Sequence, residues 1–151
     1  MAKKSPLPFP VRIPFVENLG LELHAWGDGQ AELHCDLHEA LTNSWDVAHG
    51  GVVMTMLDVA MAHAARSGHA AGTGVATIEM KTSFMRPAEG RLAAKGKLLH
   101  RSTTMAFCEG AVYDADEHLC AHATGTFKYL RKLPTKGGAT KPLARHDDHK
   151  E

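Results

Sequence analysis

Residues 49–67, HGGVVMTMLDVAMAHAARS, dictate what can surround them. The run is rich in Met, Ala, Val and Leu and reads as one long helix. Its apolar residues do not form a single stripe. Val52, Val53, Met54, Met56, Leu57, Val59, Ala60 and Met61 point in nearly every direction. A helix apolar all round is buried all round. The chain has 151 residues, about one ordinary domain. In so small a body, a curved sheet wrapped around the helix meets that demand. The same stretch is no membrane span, because His49, Gly50, Gly51, Asp58 and His63 interrupt it.

The rest of the body supplies strands. Leu19–Ala25 and Gln30–Asp36 flank Trp26-Gly27-Asp28-Gly29, a hairpin signal. Residues 37–48 form a polar loop holding Thr42, Asn43 and Ser44. After the helix come four strand-like runs, 75–85, 91–100, 104–113 and 118–130. The short breaks between them favour antiparallel pairing of consecutive strands. Two strands, one helix and four strands make an α+β layout with one helix on one sheet. Residues 1–14 hold four of the seven prolines and read as an arm. Residues 131–151 lack apolar periodicity and read as a disordered basic tail. The domain proper is 15–130.

Charge and cysteine content narrow the function. Seventeen basic side chains balance seventeen acidic ones, which argues against nonspecific nucleic-acid binding and a basic membrane anchor. The two ends are basic and the body between them is acidic. Cys35, Cys108 and Cys120 are odd in number and form no C-x-x-C pair, so they read as buried free thiols in a reducing cytosol. The N-terminal MAKKSPLPFPVRIP lacks the apolar core of a secretory signal. The expectation is a cytoplasmic protein.

Two features of the helix carry chemistry. His49-Gly50-Gly51 opens it, and two glycines in a first turn are poor helix formers. They let a ligand approach backbone N–H groups that have no intrahelical partner and sit at the positive dipole end. Such groups polarise a carbonyl or hold an oxyanion. The second feature is Asp58, a lone carboxylate among apolar residues, suited to act as a base or nucleophile. Gly50 and Asp58 are eight residues apart, about 12 Å at 1.5 Å per residue. A reacting carbonyl needs both groups within about 3 Å. One helix cannot supply both to one substrate, so a shared site needs a second subunit, related by a two-fold axis.

The run Thr42-Asn43…His49-Gly50-Gly51-Val52…Leu57-Asp58 resembles the hotdog-fold acyl-CoA thioesterases of the phenylacetic-acid-degradation type. The likeness continues through Gly74-Val75-Ala76-Thr77 and Phe84-Met85-Arg86-Pro87-Ala88-Glu89-Gly90. It closes with Ala121-His122-Ala123-Thr124-Gly125-Thr126-Phe127. It covers residues 15–130. The resemblance implies a hotdog fold, a curved antiparallel sheet around one long central helix. It implies an acyl-CoA substrate, hydrolysed to free acid and coenzyme A without a further cofactor. It also implies homodimers, paired into homotetramers, with active sites at the dimer interface. By position, Asp58 matches the nucleophile or general base, and Gly50 the amide that polarises the thioester carbonyl. Asn43 and His49 match polar residues around that carbonyl and the lytic water. Thr77 matches a hydroxyl that positions water.

Further residues are candidates for substrate binding. Gly51 adjoins the amide site. Met54, Met61, Met80 and Met85 are candidates for an acyl pocket, with core packing the alternative. Arg86, Arg91 and Arg101 fall at turns, where they either bind coenzyme A phosphates or stand as solvated charges. No metal is expected. His34/His38 and His118/His122 are four residues apart, about 13 Å on a strand and too far to share an ion. His63 sits about 140° around the helix from Asp58 and reads as structural. The alternative function is a non-catalytic hotdog module that binds acyl-CoA.

Overall fold

The computed structural model describes residues 4–70, 72–134 and 137–143. Six strands form one antiparallel sheet: β1 (Glu22–Gly27), β2 (Gln30–Asp36), β3 (Gly74–Phe84), β4 (Arg91–Arg101), β5 (Met105–Tyr113) and β6 (Leu119–Leu130). A short helix, α1 (Pro14–Asn18), precedes them, and the long helix, α2 (Gly50–Arg66), lies between β2 and β3. All six strands contact α2. This is the wrapped helix that its apolar composition demands.

The β1–β2 hairpin turns on Asp28 and Gly29, both at positive φ, 51° and 73°. That is the backbone of a two-residue turn whose twist matches the flanking strands. Pairing follows chain order at β1–β2, β4–β5 and β5–β6. It departs from the expectation at the break after β3. The sheet order is β1-β2-β4-β5-β6-β3, so β3 pairs with β6 at one edge while β4 pairs with β2. Residues 85–90 therefore cross three interstrand gaps, about 14 Å at 4.7–4.9 Å each. Six extended residues reach about 20 Å, so a short break joins distant strands as easily as neighbours. The crossover is pinned by hydrogen bonds from the Ala48 N–H to Ala88 O (2.9 Å) and from the Leu37 N–H to Gly90 O (3.0 Å).

The core lies between α2 and the inner sheet face. It includes Leu33, Met56, Leu57, Met61, Leu92, Val112 and Phe127, all fully buried. Cys35, Cys108 and Cys120 are free and buried. Burial around α2 is not complete, however. Met54 is 41% exposed, and Gly51, Thr55 and Asp58 share its open side. One sheet covers three sides of the helix and leaves this stripe bare.

Gly96 sets how closely sheet and helix approach. A Cβ there would collide with the Ala60 carbonyl and lie 2.8 Å from Met61 N. Backbone cannot swing aside as a side chain can. Gly96→Ala is expected to cost about 2–3 kcal/mol, the upper range for overpacking. Urea unfolding of the variant measures this, and an unchanged midpoint would show that α2 shifts freely.

His63 is buried near the end of α2 and does not meet Asp58. Its Nδ1–H donates to Val59 O (2.8 Å), and its ring packs edge-on against Phe9 and Trp26. Burial pushes its pKa down to about 4 from 6.5, with the Arg66 charge adding to the effect. Above pH 6.5 both folded and unfolded chains hold a neutral imidazole. Below it the unfolded chain gains a proton that the native ring refuses until about pH 4. Stability therefore falls as pH drops through that window, by about 3 kcal/mol from this group. Chemical denaturation at pH 7 and pH 4 should show the loss, and His63→Leu should flatten it.

Leu7 forms a bridge to Leu23, and Val11 is buried, so the arm docks. The C-terminal end is more ordered than the sequence implies. Within the region expected to be a disordered tail, β7 (Lys132–Pro134) pairs with β8 (Thr140–Pro142). Leu143 beside them packs over Gly74, where a Cβ would lie 3.1 Å from its Cδ1. Residues 144–151 of that tail lie outside the described residues. Among the described residues no helix is long and apolar enough to cross a membrane.

Candidate active site

Asp58 sits two turns into α2, on the bare stripe. The Thr77 hydroxyl donates to its Oδ1 at 2.6 Å. Thr77 reaches it from β3 at a β-bulge, where the register with β6 shifts between Thr77 and Glu79. Bulges re-aim side chains in this way. Burial raises the Asp58 carboxyl above the ordinary carboxylate range, and the Thr77 bond offsets part of that rise. A half-buried carboxylate with a raised pKa, held by one hydroxyl, is poised for proton transfer.

The N-terminus of α2 forms a second locus. His49 caps the helix, its Nδ1 accepting the Gly51 N–H at 2.9 Å. The neutral ring then carries its proton on Nε2. The Gly50 N–H has no acceptor among the described residues. It opens on a cleft of about 410 Å3 shared with Asn43, Phe84, Arg86 and Cys120. Asn43 uses Oδ1 to accept the Trp45 N–H (2.8 Å), which leaves its Nδ2 as a free donor. Hydrogen-bonding donors thus converge beside an unpaired amide at the positive end of a helix dipole. Asp58 and Thr77 do not line this cleft. The structure thus sets Asn43 with Gly50 and Thr77 with Asp58 as two half-sites, about 12 Å apart along the helix, while His49 caps the helix from a neighbouring cleft.

A family model described as the thioesterase superfamily matches residues 46–121, which contain both half-sites save Asn43. The chain belongs to the thioesterase superfamily. Among relatives, SSO1253 of Saccharolobus solfataricus is 30% identical over 115 residues, 76% of each chain. The medium/long-chain acyl-CoA thioesterase YigI of Salmonella typhimurium is 27% identical over 79% of this chain and 87% of its own. Among solved structures, a thioesterase family protein of Silicibacter pomeroyi superposes with TM-score 0.74 at 30% identity, over 78% of this chain and 90% of that one. PaaI of the E. coli phenylacetic acid degradation operon shares the fold, with TM-score 0.71 at 19% identity, over 77% and 83%. The hotdog architecture is thereby confirmed.

Other expected substrate contacts are redistributed within this superfamily member. Arg86 lies in the Gly50 cleft, its guanidinium 3.5 Å from Leu119 O. Arg91 does not. It is on the outer sheet face, paired with Asp36 (2.6 Å) and Glu22 (3.0 Å). Arg101 donates to Ser67 O (3.0 Å) at the opposite end of α2 and satisfies a terminal helix carbonyl. Met61 is fully buried against Gly110 and Gly125, a core residue rather than a pocket wall. Met54 is exposed on the stripe with Asp58. Gly51 faces a separate cleft with His49 and Thr55, its N–H already taken by His49. Phe84 was missed as a site residue. Its ring lies 3.6 Å from where a Gly50 Cβ would stand. In the sequence it stands only as part of the Phe84–Gly90 stretch of the family resemblance.

Three of the paired histidines meet carboxylates. His34 bonds Glu32 and stacks on His24, and His122 meets Glu109. His118 caps a turn with Asp114, in a group with Asp116 close enough to hold an ion. Asp114 Oδ1 accepts the turn's own N–H groups, from Asp116 and His118.

Proposed function

We propose that the chain hydrolyses acyl-CoA thioesters in a dimer, with Asp58 of one protomer facing the Gly50 amide of the other. Carrying this is the raised-pKa carboxylate of Asp58, set about 12 Å from the unpaired amide it must work with. The Gly50 N–H polarises the thioester carbonyl and holds the oxyanion. Asn43 and the His49 Nε2–H support that carbonyl and the lytic water. Asp58 attacks the carbonyl or takes a proton from water, and Thr77 orients the carboxylate or the water. Coenzyme A leaves as the thiol, and no cofactor is needed.

Two further observations support the dimer. The stripe bearing Met54 and Asp58 is uncovered, and Ile78 and Phe84 are each 54% exposed. Among the described residues no strand pairs the outer edge of the eleven-residue β3, and proteins seldom leave such an edge unprotected. A second copy placed antiparallel covers both. Pairing of two such dimers gives the tetramer.

Kinship with a medium/long-chain acyl-CoA thioesterase supports the coenzyme A carrier. A panel of aryl-acetyl, benzoyl and medium-chain acyl-CoA thioesters, read by thiol release, tests the reading. Tight binding without hydrolysis across the panel would instead establish an acyl-CoA-binding module.

A further inference from the structure

Outside both half-sites, the two ends of the chain meet on the body. Arg12 of the arm and Arg131, Lys132 and Lys141 of the β7–β8 hairpin line one groove of about 370 Å3. Among the described residues no carboxylate lines it. Among the described residues none of these four side chains has a partner. That sets them apart from Arg91 and Arg101, whose guanidinium groups are already occupied. The floor is apolar, from Val75, Leu130 and Leu143. Leu143 anchors the hairpin by its contact over Gly74. The groove combines an uncompensated positive rim with an apolar floor of ligand size.

We propose that this groove binds the phosphorylated adenosine end of coenzyme A. The proposal rests on the acyl-CoA reading above and adds a site to it. The position fits the carrier. Ala76 lines the groove and is the chain neighbour of Thr77, which holds Asp58. From Gly74 to Thr77 is about 10 Å along a strand, a gap that the extended pantetheine arm bridges between nucleotide and thioester. The pyrophosphate and 3′-phosphate meet the four cations, and the adenine lies on the leucines. All four cations fall outside residues 46–121, so the charged rim lies outside the matched family segment, although Gly74, Val75 and Ala76 beneath it lie within. The rim is built by the arm and the C-terminal hairpin over the ends of β3 and β6. Arginine and lysine here act as phosphate partners of forked and point-charge type.

The test uses the full chain and Arg131→Gln/Lys132→Gln/Lys141→Gln. The substituted side chains are exposed, and a matched Tm confirms the fold. Calorimetric titration with adenosine 3′,5′-bisphosphate should show binding to the wild type that is at least about tenfold weaker in the variant. Adenosine alone and inorganic phosphate should bind far more weakly. KM for acyl-CoA should rise by a similar factor with kcat within about twofold, and hydrolysis of the matching acyl-pantetheine should not change. A charge-preserving variant, Arg131→Lys/Lys132→Arg/Lys141→Arg, should retain binding. Equal nucleotide affinity in wild type and glutamine variant overturns the proposal. So does phosphate binding as tight as nucleotide binding. If no thioester is hydrolysed yet nucleotide binding depends on these cations, the hydrolase reading falls and the groove stands.

Discussion

Asp58→Asn is expected to lower kcat on acyl-CoA by about 10²–10⁴, the range for loss of a general base, and by more if the carboxylate is the nucleophile. Folding should be unharmed. The asparagine Oδ1 still accepts the Thr77 hydroxyl that now lies 2.6 Å from Asp58. Removing a carboxylate that burial disfavours relieves a cost rather than adding one. The pH profile gives an independent check. The working form is the carboxylate, so activity falls as pH drops through its raised pKa. That acid limb should lie above the ordinary aspartate range in the wild type and vanish in the variant. A variant keeping more than about a tenth of wild-type kcat, with matched Tm, removes Asp58 from the catalytic role.

The sequence disclosed the wrapped helix because burial leaves a chemical signature. From Val52 to Met61 only Thr55 and Asp58 are polar, so a surrounding sheet is needed on every side but the stripe those two share. Strand existence was equally legible from composition and turns such as Asp28-Gly29. Pairing was not, because the length of residues 85–90 is compatible with either a neighbouring or a distant strand. The β7–β8 hairpin was hidden because it buries too little to show periodicity. Its order comes from Leu143 over Gly74, a contact across about 70 residues. The half-sites were legible for a related reason. Glycines in a first turn and a carboxylate in an apolar helix each break a local rule, and such breaks gather at functional sites. Arg91 and Arg101 broke no rule. A charge at a turn does not disclose whether Asp36, a helix carbonyl or a ligand will meet it.

Mixing two inactive variants is expected to restore about a quarter of wild-type activity. Asp58→Asn keeps the amide half-site and loses the carboxylate. Gly50→Pro keeps the carboxylate and loses the N–H. The geometry favours that proline. Gly50 is the first residue of α2, where proline's missing N–H breaks no helix bond and its fixed φ suits the turn. His49 before it has ψ 137°, the extended conformation that a following proline requires. Phe84, 3.6 Å from the added Cβ, is in ordinary contact. In a mixed dimer with shared sites, one site combines both defects and the other has neither. Random exchange makes about half the dimers mixed, each with one of two sites working, hence about a quarter. The measurement is thioester hydrolysis after co-refolding at equal concentrations, with tagged chains to verify mixed dimers. If Asp58 and Gly50 of the same chain served one substrate, every site in the mixture would carry a defect. Verified mixed dimers with no activity above either parent would therefore place the carboxylate and the amide in separate reactions, and the roughly 12 Å between them on one helix would then need another explanation than a partner subunit.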